Sequence, residues 1–258
     1  MSSAGHRRVE AMGTTVTLDL FGEGLDDVVD SLAARAAATL RQIDRTFSTY
    51  REDSPLSHLR RGAATLAEMP PEVPRVLDAC REAHRLSGGW FDPWHLPGGV
   101  DPTGYVKGWA AGRALEELRH PQVVGALVNA AGDLASFGDL DGEPFRIGIA
   151  DPGNPGALIG VVALTGALAT SGTAEQSGHL IDPFAHTATA RAVSASVSGP
   201  DPGLCDALAT ALAVGGAEVL ARLEALEGYD GLIIDAGGSW RATTGFPWVE
   251  SPPARLSR

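Results

Sequence analysis

The chain has 258 residues, of which 44% are hydrophobic and 20% charged, which suffices for one substantial core and excludes a disordered protein. Its formal net charge is −12, and no basic run offsets it, which argues against nonspecific binding to nucleic acid or anionic membranes. An acidic chain that binds an anionic ligand needs local positive charge, from a metal ion or from a few placed lysines and arginines.

The chain is expected to be cytoplasmic. Its N-terminal residues contain no apolar segment of the secretory kind and no lipid-attachment cysteine, and no window approaches the roughly 18 consecutive apolar residues of a membrane span. We expect a flexible N-terminus over residues 1–8 and a C-terminal tail over residues 249–258. Cys80 and Cys205 form no Cys-x-x-Cys pair and are expected to be buried free thiols.

The first part of the chain is predicted to be mainly helical. Alternating apolar and β-branched residues over 9–21 predict one strand. Apolar residues at helical spacing then predict four helices, over 26–43, 54–61, 74–86 and 106–118. The stretch between the last two, over 90–104, is rich in proline and glycine and is predicted to be a loop.

From residue 122 onward the pattern changes to strands. These are predicted over 123–129, 134–137, 145–149, 158–165, 190–197, 231–235 and 239–243. Two helices over 204–226, split at Gly215 and Gly216, interrupt them. This order favours an α+β fold with a mainly antiparallel sheet and flanking helices, rather than repeated βαβ units. We expect a single domain over residues 9–248, made of two α/β lobes.

The strongest chemical signal is a pair of oxygen-bearing side chains in the first of those two helices. Asp206 and Thr210 are four residues apart, so they project from one face, one turn apart. A carboxylate and a hydroxyl stacked in this way offer two hard oxygens to a cation such as Mg²⁺. His179 and Asp182, just upstream, add groups that can handle a proton. Together they predict a metal-assisted phosphate site.

A second signal lies at the start of the predicted helix 106–118. Asp101 stands before that helix, where backbone N–H groups attract anions. Lys107 lies at the same end. A cation in a first turn is electrostatically misplaced unless an anion lies nearby, which favours a bound anionic ligand. A solvated lysine is the alternative.

Two groups of aromatic residues have two interpretations each. Tyr50 lies beside a helix cap, and Trp90, Phe91 and Asp92 follow a Gly-Gly turn. Aromatic side chains in such places either belong to the core or form the wall of a pocket for a planar ligand.

Two glycine-containing segments are also ambiguous. Met12 and Gly13 open the first strand, where a glycine usually marks a bulge or a close backbone approach. The segment 129–133 is explained in full by a hairpin turn.

Taken in order, these segments resemble the ApbE family of FAD:protein FMN transferases. The resemblance runs from Met12 to Thr210 and covers most of the chain. The matching motifs are Met-Gly-Thr at 12–14, Phe-Ser-x-Tyr at 47–50, Gly-Gly-x-Phe-Asp at 88–92, Asp and Lys-Gly within 101–108, Asn, Gly and Asp within 129–133, Ser-Gly at 171–172, His-x-Ile-Asp-Pro at 179–183 and Asp-Ala-x-x-Thr at 206–210.

The resemblance implies an activity. Such enzymes bind FAD with Mg²⁺, cleave its diphosphate and transfer the FMN half to a threonine hydroxyl of an acceptor protein. AMP leaves, and a phosphoester bond remains. FAD is then a substrate, the partner is the acceptor protein, and Mn²⁺ would suit the same oxygen ligands as Mg²⁺.

The resemblance also implies residue roles. Asp206 and Thr210 would be metal ligands, together with the carbonyl of Gly104, and His179 would be the base that takes the acceptor threonine's proton. The implied contacts with the flavin nucleotide are Met12, Tyr50, Trp90, Phe91, Asp92, Asp101, Lys107 and the backbone near Leu180.

The sequence departs from the family pattern in three places. Ala131 stands where the family usually has the first glycine of Gly-Gly-Asp. The connection from Asp92 to Asp101 is shorter than in many members. The secretion signal and lipid-attachment cysteine of exported members are missing from this sequence.

Two alternatives to the transferase stay open at this point. One is an Mg²⁺-dependent FAD diphosphatase, in which water replaces the threonine. The other is a protein that binds or stores FAD without turnover. Asp206, Thr210 and His179 together favour catalysis over storage, because storage needs no base beside a metal.

Overall fold

The computed structural model describes residues 3–94, 99–172, 180–188 and 190–251. Within these residues the helices are α1 (Val29–Phe47), α2 (Pro55–Arg60), α3 (Glu72–Ser87), α4 (Thr103–Glu117), α5 (Pro202–Gly215) and α6 (Ala217–Glu224). The strands are β1 (Ser3–Ala11), β2 (Thr14–Gly22), β3 (Val123–Ala130), β4 (Asp133–Gly138), β5 (Phe145–Ala150), β6 (Leu158–Leu164), β7 (Ala167–Gly172), β8 (Ile181–Asp182), β9 (Thr187–Ala188), β10 (Ser194–Gly199), β11 (Asp230–Ile234), β12 (Trp240–Ala242) and β13 (Trp248–Glu250).

Most of the strands form one large sheet. Its eight strands lie in the order β1-β2-β3-β4-β7-β10-β11-β12, and each neighbouring pair is antiparallel. A second sheet has the order β13-β6-β5, and β8 and β9 form a short hairpin. The predicted α+β fold with a mainly antiparallel sheet and flanking helices is therefore confirmed.

The large sheet separates two hydrophobic cores, because its side chains alternate between its faces. On one face, Val16 and Leu18 of β2 and Ala169 of β7 join the buried side chains of α1, α3, α4 and α5. On the other face, Leu134 of β4 and Leu168 of β7 pack against β5 and β6. The helices therefore cover one face of the sheet, and the three-stranded sheet covers the other.

Two hairpin turns lie at one end of the large sheet. Val16 of β2 pairs with Ala130 of β3, so the hairpin turns at 12–13 and 131–132 lie at the same end. Leu134 pairs with Leu168, and β7 runs toward this end to finish at Gly172. We call it the turn end of the sheet. Residues 173–179, which follow β7, lie outside the described part of the chain.

Helices α4 and α5 pack backbone to backbone through glycines of α4. A Cβ on Gly108 would overlap the carbonyl oxygen of Pro202 and lie 2.8 Å from Cβ of Asp206. A Cβ on Gly104 would lie 3.2 Å from Oγ1 of Thr210. The earlier glycine of α4 lies beside the later residue of α5, and the later glycine beside the earlier residue. The two helices are therefore antiparallel. The start of α4 therefore lies beside the later part of α5.

The predicted elements differ from the structure in several places. The single strand predicted over 9–21 is two strands, β1 and β2; α4 begins at Thr103, inside the loop predicted over 90–104; and β7 was not predicted.

Both predicted ends of the domain differ as well. Residues 1–8 were predicted to be a flexible N-terminus, but β1 begins at Ser3 and pairs with β2 along its whole length. The charged residues of β1 obscure its alternation, and they are tolerated because β1 is an edge strand. Arg7, for example, bonds through Nε to Oδ1 of Asp30 at 2.7 Å. At the other terminus, the predicted tail from residue 249 begins inside β13, which pairs with β6.

Candidate functional site

Asp206 lies in the contact between α5 and α4. It is 5% exposed, and its Oδ2 accepts a hydrogen bond of 2.9 Å from the backbone amide of Gly108. In a regular α-helix that amide would donate to the carbonyl of Gly104. The same amide therefore has two acceptors within reach, the carbonyl one turn earlier in α4 and the carboxylate of α5.

Thr210 lies one turn further along α5, beside the first turn of α4. Its Oγ1 and a ring carbon of Phe91 would lie 3.2 and 3.3 Å from a Cβ on Gly104, so the glycine leaves room for both. The structure thus brings together Gly104, Asp206 and Thr210, the three residues expected to bind a metal. A carboxylate, a hydroxyl and a carbonyl are all hard oxygen donors, which suits Mg²⁺.

No cluster of three or more histidine, cysteine, aspartate or glutamate side chains that could hold a metal occurs among the described residues. Of the three candidate ligands, only Asp206 has a carboxylate, and the other two offer neutral oxygens.

Lys107 is paired with a buried carboxylate of the sheet. Its Nζ lies 3.1 Å from Oδ2 of Asp133, and the side chains are 30% and 2% exposed, respectively. Asp133 is the first residue of β4, immediately after the turn at 131–132. Because α4 begins at Thr103, Lys107 lies in its second turn and not in its first, and Asp133 supplies an anion beside it. The position of Lys107 in the helix therefore does not by itself indicate a bound anionic ligand.

The turn before Asp133 contains a backbone conformation that is unusual for alanine. Ala131 has φ 53° and Gly132 has φ 93°. The amide of Gly132 donates a hydrogen bond of 2.9 Å to Oδ1 of Asn129, which closes the turn. The hairpin turn predicted over 129–133 is confirmed. Ala131 occupies the left-handed region that glycine adopts without strain.

Asp101 fixes the start of α4. Its Oδ1 accepts hydrogen bonds from the amide of Thr103 at 3.1 Å and from its hydroxyl at 2.7 Å. Its Oδ2 pairs with Arg60 of α2 at 3.1 Å, and both side chains are at most one-fifth exposed. Both oxygens of Asp101 thus have protein partners. If Asp101 contacts a nucleotide, it does so while it also makes these bonds.

The segment after α3 supplies a buried aromatic wall. Trp90 is 6% and Phe91 4% exposed, and the Phe91 amide donates to Oγ of Ser87 at 3.0 Å. The guanidinium carbon of Arg191 lies 4.6 Å above the Trp90 ring. Phe184 lies edge-on to Trp90, with ring centroids 4.8 Å apart. Both interpretations of this segment therefore keep some support: Trp90 and Phe91 are core residues, and Phe91 also lies beside Gly104.

Asp92, the last member of that predicted group, is partly exposed and folds back on its own loop. Its Oδ1 accepts a hydrogen bond of 3.0 Å from the amide of Trp94.

The remaining predicted contacts differ strongly in exposure. Met12 is partly buried against the helical core and has φ 54° in the β1–β2 turn. Tyr50, just beyond α1, is 91% exposed. A fully exposed tyrosine ring has no packing role within the described structure, so it is available to a ligand or a partner.

The segment upstream of α5 is only partly described. His179 lies outside the described residues. Leu180 is 5% exposed and joins the helical core. Asp182 is buried; its Oδ1 accepts hydrogen bonds from the amides of Phe184 and Ala185, and its Oδ2 lies 3.8 Å from Arg191. Asp182 therefore shapes the β8–β9 hairpin.

The two cysteines are buried free thiols, as expected. Burial, together with the negative charge of Asp206, raises the pKa of the Cys80 thiol to about 12. Burial likewise raises the pKa of Cys205. Neither thiol is therefore a nucleophile at neutral pH.

Sequence reasoning missed two features of this site. The glycines at 104, 108 and 112 share one face of α4, and their spacing of four was a visible signal of close helix packing. Asp133 was treated only as part of a turn. Its pairing with Lys107 joins residues that are far apart in the sequence, and no local pattern announces it.

The ApbE family model matches residues 12–97 and 95–233. The chain belongs to the ApbE family. These matches cover most of the chain and include each described candidate residue at the turn end.

Individual ApbE relatives agree with this assignment. A FAD:protein FMN transferase of Rhodobacter capsulatus is 35% identical over 139 residues, which are 50% of this chain and 26% of that protein. The match thus spans about a quarter of the curated relative.

Solved ApbE structures share the fold. An ApbE protein of Thermotoga maritima superposes with a TM-score of 0.83 at 21% identity, covering 94% of this chain and 98% of that one. The flavinyl transferase ApbE of Pseudomonas stutzeri gives 0.79 at 21% identity, covering 94% and 95%. The flavin transferase ApbE of Vibrio cholerae gives 0.79 at 21% identity, covering 95% and 99%. Among the helices of the described residues, none has the length and apolar character needed to cross a bilayer.

Proposed function

We propose that this chain transfers the FMN half of FAD to a threonine hydroxyl of an acceptor protein, with Mg²⁺ as the metal and AMP as the leaving group. The observation that carries the proposal is the juxtaposition of Gly104, Asp206 and Thr210 at the turn end. The family supports it, and so does the name of the Rhodobacter capsulatus relative, FAD:protein FMN transferase.

The proposed metal ligands are the Asp206 carboxylate, the Thr210 hydroxyl and the Gly104 carbonyl, and Mn²⁺ would suit the same oxygens. When bound, the ion offsets the charge that develops on the departing phosphate of AMP. Asp206 is held in place by its hydrogen bond from Gly108, so its carboxylate is oriented before any ligand arrives. Such preorganisation reduces the reorganisation needed during the reaction.

We call the Gly104 carbonyl, the Asp206 carboxylate and the Thr210 hydroxyl the oxygen cluster. The proposed FAD contacts would lie around it. Lys107 would supply a positive charge to the diphosphate, which matters in a chain of net charge −12. Tyr50, the segment Trp90, Phe91 and Asp92, and the residues Met12, Asp101 and Leu180 would line the rest of the site. The exposed ring of Tyr50 is suited to cover a planar group, because it has no packing to give up.

The proposed reaction forms one bond and breaks one. The oxygen of the acceptor threonine attacks the phosphorus on the FMN side of the diphosphate, and the bond from that phosphorus to the bridging oxygen breaks. AMP leaves with the bridging oxygen. The threonine proton passes to His179, whose ordinary pKa near neutrality suits a general base.

The test is a transfer assay with purified protein, FAD and a threonine-bearing candidate acceptor domain, with Mg²⁺ or with EDTA. AMP release and acceptor mass are followed. We expect the acceptor to gain the mass of one FMN, and EDTA to abolish this gain. AMP release without labelling of the acceptor would favour the diphosphatase, and bound FAD without AMP release would favour storage.

A variant tests the proposed base. His179→Ala should slow transfer by about 10²–10⁴-fold while leaving FAD binding intact. An unchanged rate would remove His179 from the mechanism.

A further inference from the structure

Asp133 is a buried carboxylate placed between the sheet and the proposed site. Its side chain is 2% exposed and points to the helical face of the large sheet, from the first position of β4. A buried carboxylate is unfavourable unless it is paired. Lys107, from α4, provides an ammonium group at 3.1 Å.

Lys107 connects the buried Asp133 with a partly exposed part of α4. Its Nζ contacts Asp133, and its side chain as a whole is 30% exposed. Lys107 lies three residues after Gly104, so both are on neighbouring positions of α4 at the turn end. The Lys107 side chain therefore lies close to Gly104, one of the proposed metal ligands, and is partly exposed to solvent.

We propose that Asp133 is a positioning residue, which holds the Lys107 ammonium group where it meets the diphosphate of FAD. This inference rests on the proposed function, because it takes FAD as the ligand. A lysine has a flexible four-carbon stem and a strongly hydrated charge, so its own rotamers do not fix its position. A carboxylate anchored in a β-strand supplies that fixed point.

The direction in which Asp133→Asn changes the affinity for FAD distinguishes a positioning role from an effect of net charge alone. Asp133 and Lys107 form a neutral pair, so removal of the carboxylate makes the site more positive by one charge. If only net charge mattered, Asp133→Asn would bind anionic FAD more tightly. If Asp133 positions the ammonium group, the same variant binds FAD more weakly.

The experiment measures the dissociation constant of FAD for three proteins in the presence of Mg²⁺: the wild type, Asp133→Asn, and Asp133→Asn combined with Lys107→Met. We expect Asp133→Asn to bind about tenfold more weakly, the usual loss when a hydrogen bond to a charged group is broken. The double variant should bind within about threefold of Asp133→Asn, because the displaced lysine contributes little once its anchor is gone.

Glu117→Gln is the matched control. It removes one carboxylate from the far end of α4, where Glu117 pairs with Arg35 at 3.5 Å, and it should leave FAD binding unchanged. Urea unfolding of each variant checks that the fold is retained. The double variant removes both charges of the pair, so it provides a second measurement if Asp133→Asn alone is unstable.

Three results would overturn the inference: FAD binding by Asp133→Asn at the wild-type level or tighter, a further tenfold loss on adding Lys107→Met, or wild-type affinity in the double variant. A wild-type protein that binds FAD but transfers nothing would overturn the proposed function instead. The comparison of variants would then still be interpretable, since it depends only on binding.

Discussion

The Gly108 amide donates a hydrogen bond of 2.9 Å to Oδ2 of Asp206, across the contact between α4 and α5. The bond joins a helix that carries the Gly104 carbonyl to a helix that carries Thr210. Asp206 therefore has two tasks, one in packing and one in the proposed metal site. Substitutions at Asp206 can separate these tasks.

Asp206→Asn keeps an oxygen that can accept from Gly108 but removes the negative charge. We expect near-normal stability and loss of metal-dependent transfer, because the one carboxylate of the proposed ligand set is gone. Asp206→Ala removes the acceptor as well and should lower the free energy of unfolding by about 1–3 kcal/mol. Urea unfolding and the transfer assay measure the two effects. Full activity of Asp206→Asn would remove the metal assignment.

Thr210 allows a test of the hydroxyl ligand. Thr210→Ser keeps the hydroxyl and should retain transfer, whereas Thr210→Val keeps the shape but loses the oxygen. We expect Thr210→Val to need a higher Mg²⁺ concentration for half-maximal activity, by about tenfold or more. Titration of activity with Mg²⁺ measures the shift. Equal Mg²⁺ dependence of the two variants would contradict the proposed ligand role.

The glycines of α4 should differ in their tolerance of a methyl group. Gly108→Ala places Cβ against the carbonyl oxygen of Pro202, so the helices must move apart, and we expect a loss of about 3 kcal/mol or more. Gly112→Ala meets the Pro202 ring at 3.0 Å, which can adjust, and the better helix propensity of alanine offsets the strain. We expect a change within about 1 kcal/mol there. Urea unfolding of both variants measures the two free energies of unfolding. Equal losses of stability would contradict this prediction.

Ala131→Gly should stabilise the protein. Ala131 has φ 53°, and glycine there removes a strain of about 1–2 kcal/mol but adds about 0.4–1 kcal/mol of unfolded-state entropy. The expected net gain is about 0.5–1 kcal/mol. Ala225→Gly is the matched control, since Ala225 is exposed with φ −96°, and it should be mildly destabilising. A loss of stability in Ala131→Gly would show that its methyl group contributes packing that outweighs the strain.

Stability should fall at alkaline pH. Burial raises the pKa values of Cys80, Cys205, Tyr105 and Tyr229 above their usual values, and that of Cys80 reaches about 12. The folded state therefore holds these protons more tightly than the unfolded state. The stabilisation is complete below the unfolded pKa values, 9.0 for the thiols and 10.0 for the phenols, and it is lost as the pH rises through the folded values.

Each group that is ionised only in the unfolded state lowers the free energy of unfolding by about 1.4 kcal/mol per pH unit. Urea unfolding between about pH 8 and pH 11 measures the total slope. Cys80→Ala should reduce that slope by the contribution of one titrating group. An identical slope in this variant would mean that the Cys80 thiol ionises alike in both states.

Much of the fold was predictable from local pattern. The helices α1, α3, α4 and α5 follow their apolar spacing, and the hairpin turn between β3 and β4 agrees with the turn predicted over 129–133. The hairpin turn between β1 and β2 was not predicted, because the single strand predicted over 9–21 runs through it. The division of strands between two sheets was not predictable, because pairing such as that of β13 with β6 joins residues nearly ninety positions apart. β1 was not predicted as a separate strand, because His6, Arg7 and Arg8 interrupt its apolar alternation, which an edge strand tolerates.

The residues of the candidate site differ in how far the sequence alone could identify them. Asp206 and Thr210 follow from helical periodicity within one element. Gly104 came only from the family resemblance, and the structure adds the physical reason, which is the lack of room for a Cβ beside Thr210. Asp133 could not be found, because its partner comes from another element and burial is not visible in the sequence.

The antiparallel contact of α4 with α5 also has a consequence for protein synthesis. Gly104, Lys107 and Asp133 leave the ribosome well before α5, which begins at Pro202. Until then the glycine face of α4 has no helix to pack against, and the oxygen cluster lacks both of its side chains. A nascent chain thus cannot assemble this cluster until most of its length has been translated, and a product truncated before residue 202 would lack it altogether.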